Sequence, residues 1–284
     1  MIKKNKNPVR IIPFLDIKNG LLIKGINLEG LRVLGKANNF SNYYYKSGAD
    51  EICYIDNVAT LYGTNNLSKF ITETANDIFI PLSVGGGIRS IEDMKKMFSA
   101  GADKICINSS IIENPNLLKQ SAKIFGSANI TVMIQAINVD DKYYVSKANG
   151  RDIVNISPLK WAKEVENLGA GEIILTSVNN EGLRKGFDIR LTKQVSNSTN
   201  IPIIAHGGAG TFQDIYDVIS KTNISGVGLA SILHYDALNY FPKINPIVGN
   251  TTFLKTVEKS KKKINYIKEI KKYLKRRNVK IRDE

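Results

Sequence analysis

With 284 residues, 43% of them hydrophobic and 23% charged, the chain has the composition of a folded protein and the length to bury a sizeable core. No apolar run approaches the roughly 20 residues of a membrane span, and no secretion signal is expected, because the basic start MIKKNKNPVR precedes no long apolar stretch. The formal charge of +14 admits nucleic acid, an anionic surface or phosphorylated ligands, but residues 255–284 hold 13 Lys/Arg against four Asp/Glu, so nine of those charges sit at one end.

Short β-branched apolar runs recur along the chain at Arg10–Asp16, Glu51–Asp56, Ile80–Val84, Lys104–Asn108, Ile130–Gln135, Glu172–Ser177, Ile201–Ala205 and Val227–Ala230. Between most of them lies helical periodicity, as in Ile91, Met94, Met97, Phe98 and in Trp161, Val165, Leu168. The second and fourth runs carry Cys53 and Cys106, which read as reduced core thiols of a cytoplasmic protein. After the eighth run an insertion spans about 236–262, and a basic helix follows over about 263–277, with Ile264, Ile267, Ile270 and Leu274 on one face and a solvated lysine face opposite.

Eight buried strands alternating with helices predict a single (β/α)8 TIM barrel over 1–284; an open doubly wound sheet is the structural alternative. An internal repeat favours the barrel. GADEI at Gly48 matches GAGEI at Gly169, and IPLSVGGG at Ile80 matches IPIIAHGG at Ile201, each 121 residues on. The half-repeats span about 9–128 and 129–235.

Two glycine-rich turns carry the first chemical signal. Gly86 and Gly87 follow the third strand, and Gly207 and Gly208 follow the seventh. Glycine lets backbone N–H groups close on an anion. Asn108 and Ser109 follow the fourth strand, and Ala230 and Ser231 the eighth, where barrels commonly hold phosphate. Thr176 and Gly182, at and after the end of the sixth strand, complete these candidate phosphate and substrate contacts. Two such sites at one offset predict a ligand with a phosphate at each end; the alternative is glycines serving only tight turns.

Asp16 ends the first strand, at the face where barrels place their chemistry, and can act as a general acid or base. Its repeat partner is Gln135, which hydrogen-bonds but does not ionise. Lys24 lies in a loop that runs to about Asn39 and is expected to form a lid. At the opposite ends of the strands stand Arg10, Glu51, Lys104 and Glu172. Spacing alone favours a mutually neutralising stability device over a ring around an opening.

Together RIIPFLDIKNG, IKGINLEGLR, GADEICYIDNVA, IPLSVGGGIRSIEDM, GADKICINSS, GAGEIILTSV and IPIIAHGGAG resemble, in order and spacing, the cyclase subunit family of imidazole glycerol phosphate synthase, from histidine biosynthesis. The resemblance runs from about Val9 to Tyr235 and again over Ile264–Arg282. It implies a cytoplasmic lyase subunit without cofactor or metal, paired as a heterodimer with a glutaminase at the N-terminal face. Ammonia would pass through the barrel to a bisphosphorylated formimino-aminoimidazole carboxamide ribonucleotide. Asp16 would be one of two catalytic aspartates, and Arg10, Glu51, Lys104 and Glu172 would be the ammonia gate, which overturns the reading from spacing.

The sequence departs from that family in four places. The second catalytic aspartate falls at Gln135. Glu181-Gly182-Leu183 stands where the family has Asp-Gly-Thr. His206 replaces a small polar residue before the strand-seven glycines, either as a spacer under the loop or as a contact to phosphate or substrate. The fourth is the insertion. A kept gate and a lost acid leave open a paralogue that supplies ammonia for amidation of a surface-polysaccharide sugar, and a non-catalytic activator of the glutaminase. The sister isomerase of the pathway shares the fold but has no need of a gate. Nucleic acid and membrane are not expected as partners.

Overall fold

A computed structural model describes residues 7–56, 67–241 and 265–282. In chain order the strands are β1 (Arg10–Lys18), β2 (Leu21–Ile26), β3 (Glu29–Lys36), β4 (Ile52–Asp56), β5 (Leu82–Gly85), β6 (Lys104–Ile107), β7 (Ile130–Val139), β8 (Lys142–Lys147), β9 (Asp152–Val154), β10 (Glu172–Ser177), β11 (Ile203–His206) and β12 (Gly226–Leu229). The helices are α1 (Ala37–Lys46), α2 (Leu67–Ala75), α3 (Ile91–Ser99), α4 (Ser109–Glu113), α5 (Pro115–Phe125), α6 (Pro158–Asn167), α7 (Ile189–Ser196), α8 (Phe212–Lys221), α9 (Ser231–Ala237) and α10 (Tyr266–Lys275).

Eight strands pair in parallel in the order β1, β4, β5, β6, β7, β10, β11, β12, and β12 returns to β1, closing the barrel. All eight are the runs expected from sequence, each within two residues at its start. Alternation along each strand separates two cores. On β7, Ile130, Val132 and Ile134 join the large cluster under the helices, whereas Met133 joins an inner cluster with Ile12, Phe14, Cys53, Ile55, Cys106, Ile174 and Ile204. Both cysteines are thus buried free thiols inside the barrel. They stand side by side, and burial first, then each other's company, pushes the Cys53 thiol well above its usual range.

The duplication reaches the helix caps. Ser90 caps α3 and Asp93 reaches back to it; Thr211 and Asp214 do the same for α8, again 121 residues on. Each capping box fixes the end of a glycine turn.

Three expectations need correction. The segment expected to be a lid is the antiparallel hairpin β2–β3, which extends β1 through the pairs Asp16–Ile23 and Lys18–Leu21. A second hairpin, β8–β9, stands in the same place after β7. The insertion does not begin at 236, because α9 runs through Ala237; residues 242–264 lie outside the described residues. The basic helix is shorter than expected, and its lysine face is not wholly solvated. Lys271 is buried and meets Asp50 at 2.8 Å, while Asp50 also accepts the Ile11 N–H at 2.7 Å. With Ile267, Ile270 and Leu274 buried beside it, α10 docks against the start of β1. Among the described residues no helix is long and apolar enough to cross a membrane.

Candidate active site

The two ends of the barrel carry different chemistry. At the N-terminal end, Arg10, Glu51, Lys104 and Glu172 are brought together as one ring. Arg10 meets Glu51 at 2.7 Å and also pairs with Glu172; Lys104 meets both carboxylates at 3.1 Å. Ser83 donates to Glu51 at 2.5 Å. Burial alone would lower the pKa values of Arg10 and Lys104, but the two carboxylates outweigh it, and both cations are held charged above their usual range. The ring is thus ionic, with each cation paired to both carboxylates.

At the C-terminal end, β1 delivers Asp16 and the hairpin delivers Lys24. Both are buried, with the ammonium 3.8 Å from Asp16 and closer to Glu181, its principal partner. Glu181 also accepts the Leu28 N–H at 3.2 Å, which ties the hairpin to the loop after β10. Burial opposes the charge of Lys24, yet Glu181 and Asp16 raise its pKa overall. Lys24 is therefore a buried counter-ion between two carboxylates rather than a residue on a mobile lid.

Gln135, Thr176 and His206 form one layer across neighbouring strands, in register from β7 to β10 to β11. Thr176 Oγ1 lies 3.0 Å from His206 Nδ1, and the imidazole stacks on Phe14 with centroids 3.9 Å apart. A Cβ on Gly228 would stand 3.2 Å from the ring, so the glycine makes room for it. Burial, and after it Lys24 and His234, pushes His206 down to about 3, which leaves it neutral. His206 thus packs beneath the loop, stacked on Phe14, and its residue also lines the pocket there.

Two pockets open at this mouth, one per half. The first lies beyond β5 and β6, against Gly86, Gly87, Asn108, Ser109 and Gln135, and includes Asp56 and Arg89. The second lies beyond β11 and β12, against Gly182, His206, Gly207, Gly208, Ala230 and Ser231, and includes Arg184. All the candidate contacts except Lys24 and Thr176 therefore line one pocket or the other. Asn108 and Ala230 share an unusual backbone conformation, with ψ of −92° and −90°, so the repeat is preserved at this turn too. Gly86 has φ 100° and Gly208 φ 112°; a Cβ there would meet Asp56 O at 2.3 Å and Gly186 O at 2.1 Å. The glycines thus serve both neighbouring backbone and pocket. Such turns present N–H groups to an anion.

Sequence reasoning passed over Asp56, Arg89, Arg184 and Asn149. The offset of 121 placed none of the two arginines as a pair, and Asp56 read only as a strand end. Among the described residues no cluster of His, Cys, Asp and Glu has the arrangement of a metal site.

The family profile described as histidine biosynthesis protein matches residues 10–239. Proteins named imidazole glycerol phosphate synthase subunit HisF are similar over most of the chain. The one from Legionella pneumophila is 48% identical over 207 residues, 72% of this chain and 98% of the relative. That from Bacillus cereus strain G9842 is 44% identical, covering 80% and 90%. That from Sulfurisphaera tokodaii is 41% identical, covering 83% and 93%.

Proposed function

Because the chain belongs to the HisF family of imidazole glycerol phosphate synthase subunits, we propose that it is the cyclase subunit of that enzyme, a lyase of histidine biosynthesis working with a glutaminase partner. The names of its relatives favour this reading over the amidation paralogue, the glutaminase activator and the isomerase. The observation that carries it is one of placement: a buried carboxylate, Asp16, stands at a mouth flanked by two glycine pockets, and a charged ring stands at the other end of the same barrel.

In this reading the two pockets hold the two phosphates of the bisphosphorylated ribonucleotide. Backbone N–H groups do most of that work, supported by Ser109 in one pocket and Ser231 in the other. Binding both ends stretches the ligand across the mouth over Asp16, which supplies the proximity that ring closure needs. Asp16 accepts a proton from the ammonia-derived nitrogen as it adds, and returns one as the new imidazole ring separates from the aminoimidazole carboxamide ribonucleotide. Lys24, 3.8 Å from Asp16, sets a positive charge beside it. Gln135 and Thr176 orient the ligand by hydrogen bonds. Asp56, on the wall of the first pocket, is a second carboxylate at this mouth.

The ring of Arg10, Glu51, Lys104 and Glu172 is the entry for ammonia, with the glutaminase docked over that face. Its ion pairs must part or tilt to let a neutral molecule by, and their mutual satisfaction keeps water and ions out otherwise.

The test is direct. The purified chain, given ammonia and the bisphosphorylated ribonucleotide, should release imidazole glycerol phosphate together with the aminoimidazole carboxamide ribonucleotide, one for one. Absence of both products from folded protein would sink the reading.

A further inference from the structure

Three of the eight side chains in the inner cluster carry sulfur, a share that makes this part of the core a set of soft donors: Cys53 on β4, Cys106 on β6 and Met133 on β7. The two thiols are free and stand side by side, 1% and 2% exposed, although β5 runs between their strands. Gly85 on β5 allows this approach. A Cβ there would meet the Cys106 Cβ at 2.8 Å, so the missing side chain leaves the room that the thiols share. Met133 is buried beside them, and its sulfur accepts the Gln135 Nε2 at 3.9 Å with a lone pair to spare. Cys106 and Met133 also wall the first pocket, which opens the group to the barrel mouth.

Backbone distance decides what the thiols can do together. Strands two places apart in a sheet lie about 10 Å from one another, and a disulfide needs Cα atoms within about 7 Å. A direct sulfur–sulfur bond is therefore out of reach while the strands keep their places. An ion between the sulfurs extends the reach, since each metal–sulfur bond is about 2.3 Å long. The donors then choose the ion. Two thiols and a thioether are soft, which favours Cu(I). Zinc takes four ligands in structural sites, and among the described residues no third Cys, His, Asp or Glu joins the pair. Burial pushes the Cys53 thiol well up, so a hard ion meets no thiolate here, whereas a soft ion displaces the proton itself.

We propose that Cys53, Cys106 and Met133 form a binding site inside the barrel for a soft monovalent cation, Cu(I). Cys106, which faces the pocket, gives up its proton. Its S–H bond breaks, a sulfur–Cu(I) bond forms, one H⁺ leaves for solvent, and copper keeps its oxidation state. The Cys53 thiol and the Met133 thioether complete the site as neutral donors. One cation enters as one proton leaves, so the apolar interior gains no net charge, which burial would otherwise make costly.

Anaerobic titration of the full chain with Cu(I), against a chromophoric Cu(I) chelator, should show one ion per chain, one proton released and the ultraviolet absorption of a Cu(I)–thiolate bond. Cys106→Ser should weaken binding at least hundredfold. Met133→Leu, which keeps the volume, should weaken it at least fivefold, each with an unchanged circular dichroism spectrum. Zn(II) at the same concentrations should not compete. The proposal is overturned if the unaltered chain binds no Cu(I), if the double variant Cys53→Ala, Cys106→Ala holds it equally well, or if Zn(II) competes on equal terms. Should the variants fail to fold, a crystal of the unaltered chain soaked in Ag(I) decides. Anomalous density among the three sulfurs supports the site, and density only elsewhere overturns it.

Discussion

The two halves of this barrel share a backbone and divide the chemistry. Each half has a first strand continued by a hairpin, a glycine turn closed by a capping box, and a kinked entry into a short helix. Yet the first half supplies Asp16 and Lys24, while the second supplies Gln135, Glu181 and both histidines of the chain. Duplication keeps what the backbone does, which is to form two pockets. It leaves the side chains free to diverge, and in the proposed mechanism the acid–base chemistry falls to one half.

The largest effect on stability is expected where the halves meet in an ion pair. Lys24→Met leaves Asp16 and Glu181 buried without their cation, and removing one partner of such a group costs about 3–5 kcal/mol. Urea unfolding followed by circular dichroism checks this; a loss below about 1 kcal/mol would show that the hairpin is not tied across by this contact.

Next come the pockets, which the comparison treats as equivalent. Gly208→Val drives a side chain into the Gly186 carbonyl and should raise the ribonucleotide KM at least tenfold. Gly86→Val, against the Asp56 carbonyl, should do the same. An effect at only one of the two would show that a single phosphate dominates binding.

Acid sensitivity should belong to the second half. His234 donates through Nε2 to Phe14 O at 2.9 Å and accepts from Tyr44 at 2.7 Å; burial, with Lys24, pushes it down to about 3, as it does His206. A folded pKa below the unfolded value of about 6.5 gives stability that is complete above that pH and lost as pH falls toward 3. Each histidine therefore removes about 1.4 kcal/mol per pH unit in that window. Asp236, raised to about 6 by burial, runs the other way, its contribution being lost as pH rises through 6. The variant His206→Ser, His234→Gln should show a flatter fall between pH 6.5 and 5; an unchanged slope would move acid sensitivity elsewhere. The smallest effect is expected at the exposed pair Lys272–Glu269 on α10, where Lys272→Ala should change stability by less than about 0.5 kcal/mol.

Much of this arrangement was legible in the sequence, because periodicity and repetition report on backbone. The eight strands, their closure and the two glycine turns follow from β-branched runs at a constant offset. The hairpins have a signature of their own. Asn19-Gly20 and Asp140-Asp141 are 121 residues apart, and all four residues have positive φ, the signature of a tight two-residue turn. Reading that segment as a lid puts Lys24 on a loop, whereas the pairing of Asp16 with Ile23 sets it on β2, where it is buried. Contacts across the barrel were not legible. No spacing reveals that Lys24 lies against Glu181, 157 residues away, or that His206 lies flat on Phe14. The charged ring shows the same limit: its four residues were named from strand starts, but only closure of the barrel makes them one ionic cluster.

The division of labour between the halves is tested most directly by kcat for Asp16→Asn at saturating ammonia and ribonucleotide. The account predicts a fall of about 10²–10⁴, as for loss of a general acid or base, with the ribonucleotide KM within threefold and the fold intact. A variant that cyclises at the unaltered rate would contradict it, and would move the proton chemistry out of the first half.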